Sequence, residues 1–246
     1  MAGEEGAASW RQHTVPHYID LARARASHAV LGRGVLSAED VALVDEIGRR
    51  SRACGENNVQ NAGRVGKHCT FLNKPPGAYA GAGAGAGEAA SADPIAAMSN
   101  PLRQLAPHVL GKLLRFGVRC WDEQQWSAPG GPLDVVQGGD GHPLGSLKVR
   151  VAEWWNYAEG GHLEDANHFD GGSILTIVAL LNDGFTGGRL STNEPDGTQL
   201  DTGLAETGSC CCFLSHKLHS VSRVLGGVRR TLVIELWQGG TALHGR

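Results

Sequence analysis

The stretch NHFDGGSILTIVALLN, residues 167–182, joins two patterns that together decide the expected fold. Its second half, residues 174–181, is almost wholly apolar, and a run of that length is typical of a strand buried on both faces. Its first half contains His168 and Asp170, whose side chains point to the same side where the chain is extended. The stretch therefore predicts a buried strand that follows a converging pair of polar side chains.

His168, Asp170 and a later histidine, His219, form a candidate metal site. Side chains two residues apart on an extended chain can reach one ion, and Gly171 and Gly172 allow the chain to bend after them. Two imidazoles and one carboxylate leave half of an octahedron empty, and non-haem Fe(II) oxygenases use this donor set to bind a co-substrate and dioxygen. The three residues therefore predict a metal-dependent oxidative enzyme.

Two other histidines, His162 and His216, lie close to these positions in the sequence and compete for the same role. His162 has the strand parity of His168, but the glycines before it indicate an irregular approach, so we favour a pocket-lining or surface role. His216 lies three residues before His219, and its opposite strand parity argues against both binding one ion from a straight strand. We therefore expect His219 to be the downstream ligand.

A cation, Arg229, follows the last of these histidines. A co-substrate with a free carboxylate needs a fixed cation at the far end of its pocket, and a guanidinium binds a carboxylate at two points. Strand alternation places the Thr231 hydroxyl on the same face as Arg229 and turns Arg230 away. The apolar residues 232–234 read as a buried strand, where a lone cation would need a partner. Arg230 stays open as the alternative anchor.

Five stretches in a fixed order give the chain a specific family resemblance. They are Asn156–Gly161, His168–Asp170, Leu175–Asn182 followed by Gly187-Gly188, Leu218–Val221, and Gly226–Arg229. From about Leu147 to Trp237 the chain resembles the catalytic domain of the 2-oxoglutarate and Fe(II)-dependent dioxygenases, and it is closest to the prolyl 4-hydroxylase branch. The resemblance implies a double-stranded β-helix, or jelly roll, so that the fold class is mainly β with supporting α-helices.

The resemblance also implies roles for single residues. The catalytic iron would be bound by His168, Asp170 and His219. The distal carboxylate of 2-oxoglutarate would be held by Arg229 and Thr231, with Tyr157 lining the same pocket. Fe(II) would be the metal, 2-oxoglutarate the co-substrate, and ascorbate the reductant that keeps the iron ferrous.

The closeness to the prolyl 4-hydroxylase branch predicts hydroxylation of a peptidyl proline or a similar protein side chain, with succinate and CO2 as co-products. Two alternatives stay open. One is a small-molecule hydroxylase of the same superfamily, and the other is a catalytically silent jelly-roll module that binds a metal or a partner. Nothing in the sequence indicates the oligomeric state.

The predicted organisation is one folded unit over residues 35–240. Residues 1–34 form a partly ordered N-terminal segment, residues 35–145 supply supporting helices and strands, and residues 146–240 form the jelly roll. A Gly/Ala-rich loop near residues 77–93 is expected to be mobile, because such tracts have little apolar surface to bury. Whether this loop covers the site as a lid stays open.

Local signals predict three elements before the jelly roll. Ser37 followed by Asp40 resembles a capping box and predicts a helix that runs to about Arg50. The run 69–72 predicts a short strand. Asn100-Pro101 predicts the start of a second helix, with a bend at Pro107.

Composition excludes several classes of function. The chain has 246 residues, of which 41% are hydrophobic, enough for one sizeable core, and its formal charge of −3 gives no general attraction to nucleic acid. The start of the sequence is acidic and lacks an apolar core, and no apolar run approaches the length of a membrane span. We therefore expect an intracellular, cytoplasmic protein with neither a nucleic-acid nor a membrane partner.

Six cysteines include the consecutive residues Cys210, Cys211 and Cys212. Neighbouring Cα atoms are about 3.8 Å apart, which falls short of the usual disulfide geometry. The triplet lies among small and apolar residues, so we favour reduced thiols packed in a strand over a metal or redox role.

Overall fold

The computed structural model describes residues 19–52, 58–60, 66–73, 95, 98, 100–133, 147–165 and 167–238. The loop that we predict to be mobile, near residues 77–93, lies outside these residues. The helices are α1 (Leu21–Ala26), α2 (Ala38–Arg52), α3 (Pro101–Leu105) and α4 (Pro107–Glu123). The first six strands are β1 (Val30–Gly32), β2 (Asn58–Gln60), β3 (Lys67–Asn73), β4 (Lys148–Tyr157), β5 (Leu175–Leu180) and β6 (Thr186–Gly187). The other six are β7 (Leu190–Asn193), β8 (Gln199–Asp201), β9 (Cys210–Leu214), β10 (His219–Val221), β11 (Val224–Gly226) and β12 (Arg229–Trp237).

The predicted capping box at the start of α2 is confirmed. The backbone N–H of Ser37 donates to Asp40 Oδ2 at 2.8 Å, and the N–H of Asp40 donates back to Ser37 Oγ at 3.3 Å. The two bonds satisfy N–H groups that have no partner inside the helix. The helix begins where the sequence predicts and ends at Arg52, close to the predicted Arg50.

The predicted second helix is interrupted instead of bent, which corrects our expectation at Pro107. α3 ends at Leu105, α4 begins at Pro107, and Ala106 between them has φ −132° and ψ 50°. Proline has no backbone N–H to continue a helix, and its ring disfavours helical angles in the residue before it. Two separate helices therefore pack where the sequence predicts one.

Seven strands form the main sheet, in the order β1-β9-β5-β12-β4-β3-β2, with every neighbouring pair antiparallel. β5 lies inside the sheet, between β9 and β12, and all six of its residues are buried, as predicted for residues 174–181. β1 adds an edge strand to the sheet by pairing Val30 with Cys212. Smaller sheets, β10-β7-β8 and β11-β6, complete a jelly roll. The predicted fold class is confirmed.

The main sheet divides the apolar side chains into two cores. The helix-side core joins α2 and α4 to one face of the sheet, and it includes Val44, Ile47, Leu113, Phe116, Ile177, Leu232 and Ile234. The interior core joins the other face to the smaller sheets, and it includes Tyr157, Val178, Leu180, Leu190, Cys211, Phe213 and Val221. Alternation along each strand assigns successive residues to the two cores.

His168 and Asp170 lie outside the strands, which corrects the strand geometry that we expected for them. The chain turns immediately after this pair, and Gly172 has φ 81°, which favours glycine. Backbone bonds to other segments replace those of a regular sheet, since His219 N donates to His168 O at 3.1 Å and Asp170 N donates to Ser215 O at 2.9 Å.

None of the helices in the described ranges has the length and apolar character of a membrane span.

Candidate metal centre

His168, Asp170 and His219 come together although His168 and His219 are 51 positions apart in the sequence. One potential ligand atom from each lies within 4.8 Å of the others. His168 Nε2 is 3.4 Å from Asp170 Oδ1, and His219 Nε2 is 3.7 Å from Asp170 Oδ2. Two donors in adjacent octahedral positions, each about 2.1 Å from an ion, lie about 3 Å apart. The arrangement therefore fits a single metal ion.

His219 is buried and its ring is fixed by two neighbours. Its Nδ1 lies 3.0 Å from the carbonyl oxygen of Lys217, and because a carbonyl only accepts, Nδ1 carries the hydrogen. The Phe213 ring packs against it with 4.8 Å between centroids. The tautomer set by this bond leaves the lone pair on Nε2, the atom directed towards Asp170.

Asp170 is also buried, and the hydroxyl of Thr176 on β5 holds its carboxylate. Thr176 Oγ1 donates to Asp170 Oδ2 at 2.7 Å, and Thr176 Oγ1 lies 2.9 Å from Ser215 Oγ. Both hydroxyl residues are fully buried. Asp170 thus combines a fixed backbone with a fixed carboxylate.

His168 is the open member of the cluster, because its side chain is 29% exposed. Its ring meets that of His219 edge to face with 4.8 Å between centroids. The centre is therefore closed on the side of Asp170 and His219 and accessible on the side of His168.

The structure separates the competing histidines from this cluster. The side chain of His162 is 39% exposed and its Nδ1 lies 3.5 Å from Glu164. His216 is fully buried, and its ring stacks on that of Phe169 with 5.5 Å between centroids. Neither residue belongs to the group whose donor atoms converge.

Arg229 is 1% exposed and lies on the interior face of the main sheet. Its guanidinium is 5.5 Å from the centroid of the Tyr157 ring, and the two residues are register partners on β12 and β4. Its Nε and Nη2 are buried and have no hydrogen-bond partner among the described residues. Burial lowers the pKa of the Arg229 guanidinium. An unpaired buried cation is costly, so this position is complementary to an anion.

Arg230 points the other way, as strand alternation predicts. Its Nε lies 3.0 Å from Asp45 Oδ1 on α2, outside the interior core. Thr231 is buried and returns to the face of Arg229, where its register partners are Trp155 and Leu180. Between the two arginines, Arg229 is therefore the one that shares the interior with the metal cluster.

The Arg229 position and the metal cluster open onto the same interior core. Tyr157, which contacts Arg229, and Phe213, which contacts His219, both belong to that core. A second cation, Lys67, also lies over the Tyr157 ring at 5.1 Å. The interior thus presents metal donors at one place and positive charge at another.

The cysteine triplet lies in β9, as predicted, and its members are free buried thiols. Burial raises the pKa of the Cys211 thiol to about 12 and raises those of Cys210 and Cys212 as well. Thiols with such pKa values stay protonated at neutral pH, which makes them poor metal ligands and nucleophiles.

Several residues at the centre are absent from the sequence-based prediction, among them Thr176, Ser215 and Phe213. Thr176 is the one hydroxyl in the apolar strand β5 and lies six residues after Asp170. A polar side chain in an otherwise apolar buried run needs a hydrogen-bond partner, so the sequence could have indicated that Thr176 contacts another polar group. Ser215 and Phe213 carry no comparable signal, since only the pairing of β5 with β9 brings them to the site.

No protein-family model and no curated protein sequence matches the chain. Solved structures do match. An oxidoreductase of the 2OG-Fe(II) oxygenase family from Burkholderia pseudomallei has a TM-score of 0.54 at 14% identity, over 97% of this chain and 93% of that one. The non-haem α-ketoglutarate-dependent epimerase SnoN from nogalamycin biosynthesis has a TM-score of 0.51 at 17% identity, over 88% and 80%.

A prolyl hydroxylase from Trichoplax adhaerens, in complex with a peptide of hypoxia-inducible factor, also has a TM-score of 0.51, at 11% identity, over 89% of this chain and 87% of that one. The resemblance to 2-oxoglutarate and Fe(II)-dependent oxygenases is therefore confirmed for the fold. At these identities the comparisons do not separate the prolyl hydroxylase branch from enzymes with other substrates.

Proposed function

We propose that this protein is an Fe(II)- and 2-oxoglutarate-dependent oxygenase, with His168, Asp170 and His219 as the iron ligands. The fold supports the proposal because solved 2OG-Fe(II) oxygenases share it. The donor set supports it because two imidazoles and a carboxylate suit Fe(II) and leave positions open for other ligands. Converging donor atoms support it because they need only a small adjustment to meet one ion.

The observation that carries the proposal is the buried Arg229 guanidinium, with donors that lack a hydrogen-bond partner among the described residues. A metal site alone gives no reason for a cation there. A co-substrate with one carboxylate at the metal and another at Arg229 explains both features, and 2-oxoglutarate is such a dicarboxylate. We assign the distal carboxylate to Arg229 and Thr231 and the adjacent wall of the pocket to Tyr157.

When bound, Fe(II) would couple the reduction of dioxygen to the decarboxylation of 2-oxoglutarate and to the hydroxylation of a C–H bond. One oxygen atom of O2 would enter the substrate as hydroxyl, and the other would enter succinate while CO2 leaves. The protein contributes geometry: Asp170 and His219 are fixed by hydrogen bonds, Arg229 orients the co-substrate, and the interior core excludes water. Ascorbate is proposed as the reductant that keeps the iron ferrous.

For the substrate we propose a peptidyl proline or a similar protein side chain. The match to the prolyl hydroxylase with its bound peptide supports this class. The match to the epimerase SnoN has the same TM-score and favours a second candidate, oxidation of a small molecule. In both cases the substrate would approach from the side of His168, the exposed member of the cluster.

Incubation with Fe(II), 2-oxoglutarate, ascorbate and proline-rich peptides tests the proposal. Succinate release and a mass gain of one oxygen atom on a peptide are expected. Succinate release without any modified peptide would exclude the peptide substrate and favour the small-molecule class. Absence of succinate release under all conditions, with one metal bound, would favour the silent binding module.

A further inference from the structure

Asp170 can bind an ion through one oxygen or through both, and the difference matters for the chemistry. Its Oδ1 lies 3.4 Å from His168 Nε2, and its Oδ2 lies 3.7 Å from His219 Nε2, so both oxygens are close to the other donors. A carboxylate that binds through both oxygens occupies one more coordination position than a carboxylate that binds through one. That position would be lost to the co-substrate or to dioxygen.

The hydroxyl of Thr176 acts on only one of these oxygens. It lies 2.7 Å from Asp170 Oδ2, in a fully buried position on β5. An ionised carboxylate only accepts hydrogen bonds, so the single hydrogen of the Thr176 hydroxyl points to Oδ2. A hydrogen bond between a neutral donor and a charged acceptor is stronger than one between neutral groups.

Ser215 extends this contact by one further step. Its Oγ lies 2.9 Å from Thr176 Oγ1, and because the hydrogen of Thr176 is used on Asp170, the hydrogen of this second bond comes from Ser215. The carbonyl of Ser215 also accepts from Asp170 N at 2.9 Å. The direction of the chain is thus Ser215 to Thr176 to Asp170, and one residue fixes both the backbone and the carboxylate orientation of Asp170.

We propose that Thr176, supported by Ser215, is a positioning residue that restricts Asp170 to binding the metal through Oδ1 alone. This inference rests on the proposed metal site. The hydroxyl competes with the ion for Oδ2 and keeps the carboxylate plane turned, so that an additional coordination position stays available. Hydrogen bonds to metal-binding side chains commonly contribute about 10–100-fold to metal affinity.

Binding of Co(II) to the metal-free protein tests the proposal without requiring turnover. We expect Thr176→Val, which keeps the shape and removes the hydroxyl, to weaken Co(II) binding by about 10–100-fold. We also expect its visible Co(II) absorption to change, because a carboxylate bound through both oxygens replaces an exchangeable ligand of the ion with a second oxygen of Asp170. Thr176→Ser is the matched control, since it retains the hydroxyl and should bind Co(II) like the wild type.

Three results would overturn the proposal. One is that Thr176→Val binds Co(II) with an affinity and an absorption within twofold of those of the wild type. This result would count against the proposal even if the melting temperature of the metal-free variant fell, because Thr176 would then affect only stability. Another is a loss in Thr176→Ser as large as that in Thr176→Val. The third is a wild-type protein that binds no Co(II), which would overturn the proposed function as well, whereas the first two leave that function intact. If Thr176→Val does not fold, Thr176→Ala takes its place with the same expectations.

Discussion

The two faces of β12 place neighbouring arginines in opposite surroundings. Arg230 faces α2 and lies 3.0 Å from Asp45 at the edge of the helix-side core. Arg229 faces the interior, is 1% exposed, and has guanidinium donors with no hydrogen-bond partner in the part of the chain that the structure describes. Arg230 therefore has a carboxylate of the fold beside it, whereas Arg229 has the Tyr157 ring, and we propose that an anion completes its surroundings.

The same division extends across the main sheet. The face towards the helices is apolar, with Ile177, Leu232 and Ile234, and its packing stabilises the fold. The interior face carries Thr176 and Arg229 among apolar neighbours, and buried polar groups are costly unless they have a partner. One face of the sheet therefore supplies stability, and the other supplies the groups that we assign to chemistry.

Removal of a proposed ligand on the interior side should have the largest effect. His219→Ala is expected to lower succinate release by more than about 10³-fold, because two donors hold an ion far more weakly than three. His162→Ala, at the rival histidine, is the matched control and should retain activity. Equal losses in the two variants would contradict the assignment of His219.

The paired arginines provide the second test. Arg229→Met is expected to weaken 2-oxoglutarate binding by about 2–5 kcal/mol, or roughly 30- to 4,000-fold, because it removes a buried partner of a carboxylate. Arg230→Met should change this affinity by less than about threefold, since Arg230 contacts α2. Calorimetric titration of the metal-loaded variants measures both values, and a larger loss in Arg230→Met would reverse the assignment.

A substitution on the helix-side face should affect stability alone. Ile234→Ala is expected to lower the free energy of unfolding by about 2–5 kcal/mol, because it removes a fully buried side chain from packed surroundings. Denaturant unfolding measures the loss. The folded fraction should bind 2-oxoglutarate with unchanged affinity, and a change beyond threefold would mean that the two faces are coupled.

Substitution of Gly188, next to Arg229, should have the smallest effect on 2-oxoglutarate binding, and substitution of Gly184 is its matched control. A Cβ on Gly188 would lie 2.8 Å from Arg229 Cδ, whereas a Cβ on Gly184 would have nothing within 4 Å, although both residues have positive φ, +60° and +76°. Gly188→Ala and Gly184→Ala should each destabilise the fold by about 1–2 kcal/mol. Only Gly188→Ala should also weaken 2-oxoglutarate binding, by a few-fold, and an equal weakening in Gly184→Ala would refute a direct effect on Arg229.

Local patterns in the sequence were sufficient for much of the fold. The capping box at Ser37 and Asp40 determined the start of α2, and the apolar run of residues 174–181 identified the buried strand β5. The pairing of β1 with β9 could not be predicted, because three residues carry too little pattern and their partner lies about 180 residues away.

Part of the candidate site could likewise be predicted from the sequence, and part could not. Residue types and order identified His168, Asp170 and His219, and strand alternation separated Arg229 from Arg230. The assumption of a regular strand at His168 was wrong, because a glycine turn and bonds to Ser215 and His219 shape that segment. The roles of Thr176 and Ser215 could not be predicted from the sequence. The hydrogen bonds that link Ser215 to Thr176 and Thr176 to Asp170 form only when β5, β9 and the turn after Asp170 have come together.

Titration of 2-oxoglutarate into the protein with and without one equivalent of Fe(II), under exclusion of oxygen, tests whether Arg229 and the three proposed metal ligands form one co-substrate site. We expect a single 2-oxoglutarate site that requires the metal, is lost in His219→Ala and is strongly weakened in Arg229→Met. Binding of 2-oxoglutarate that is equally strong without metal, or no binding to the metal-loaded protein, would contradict it.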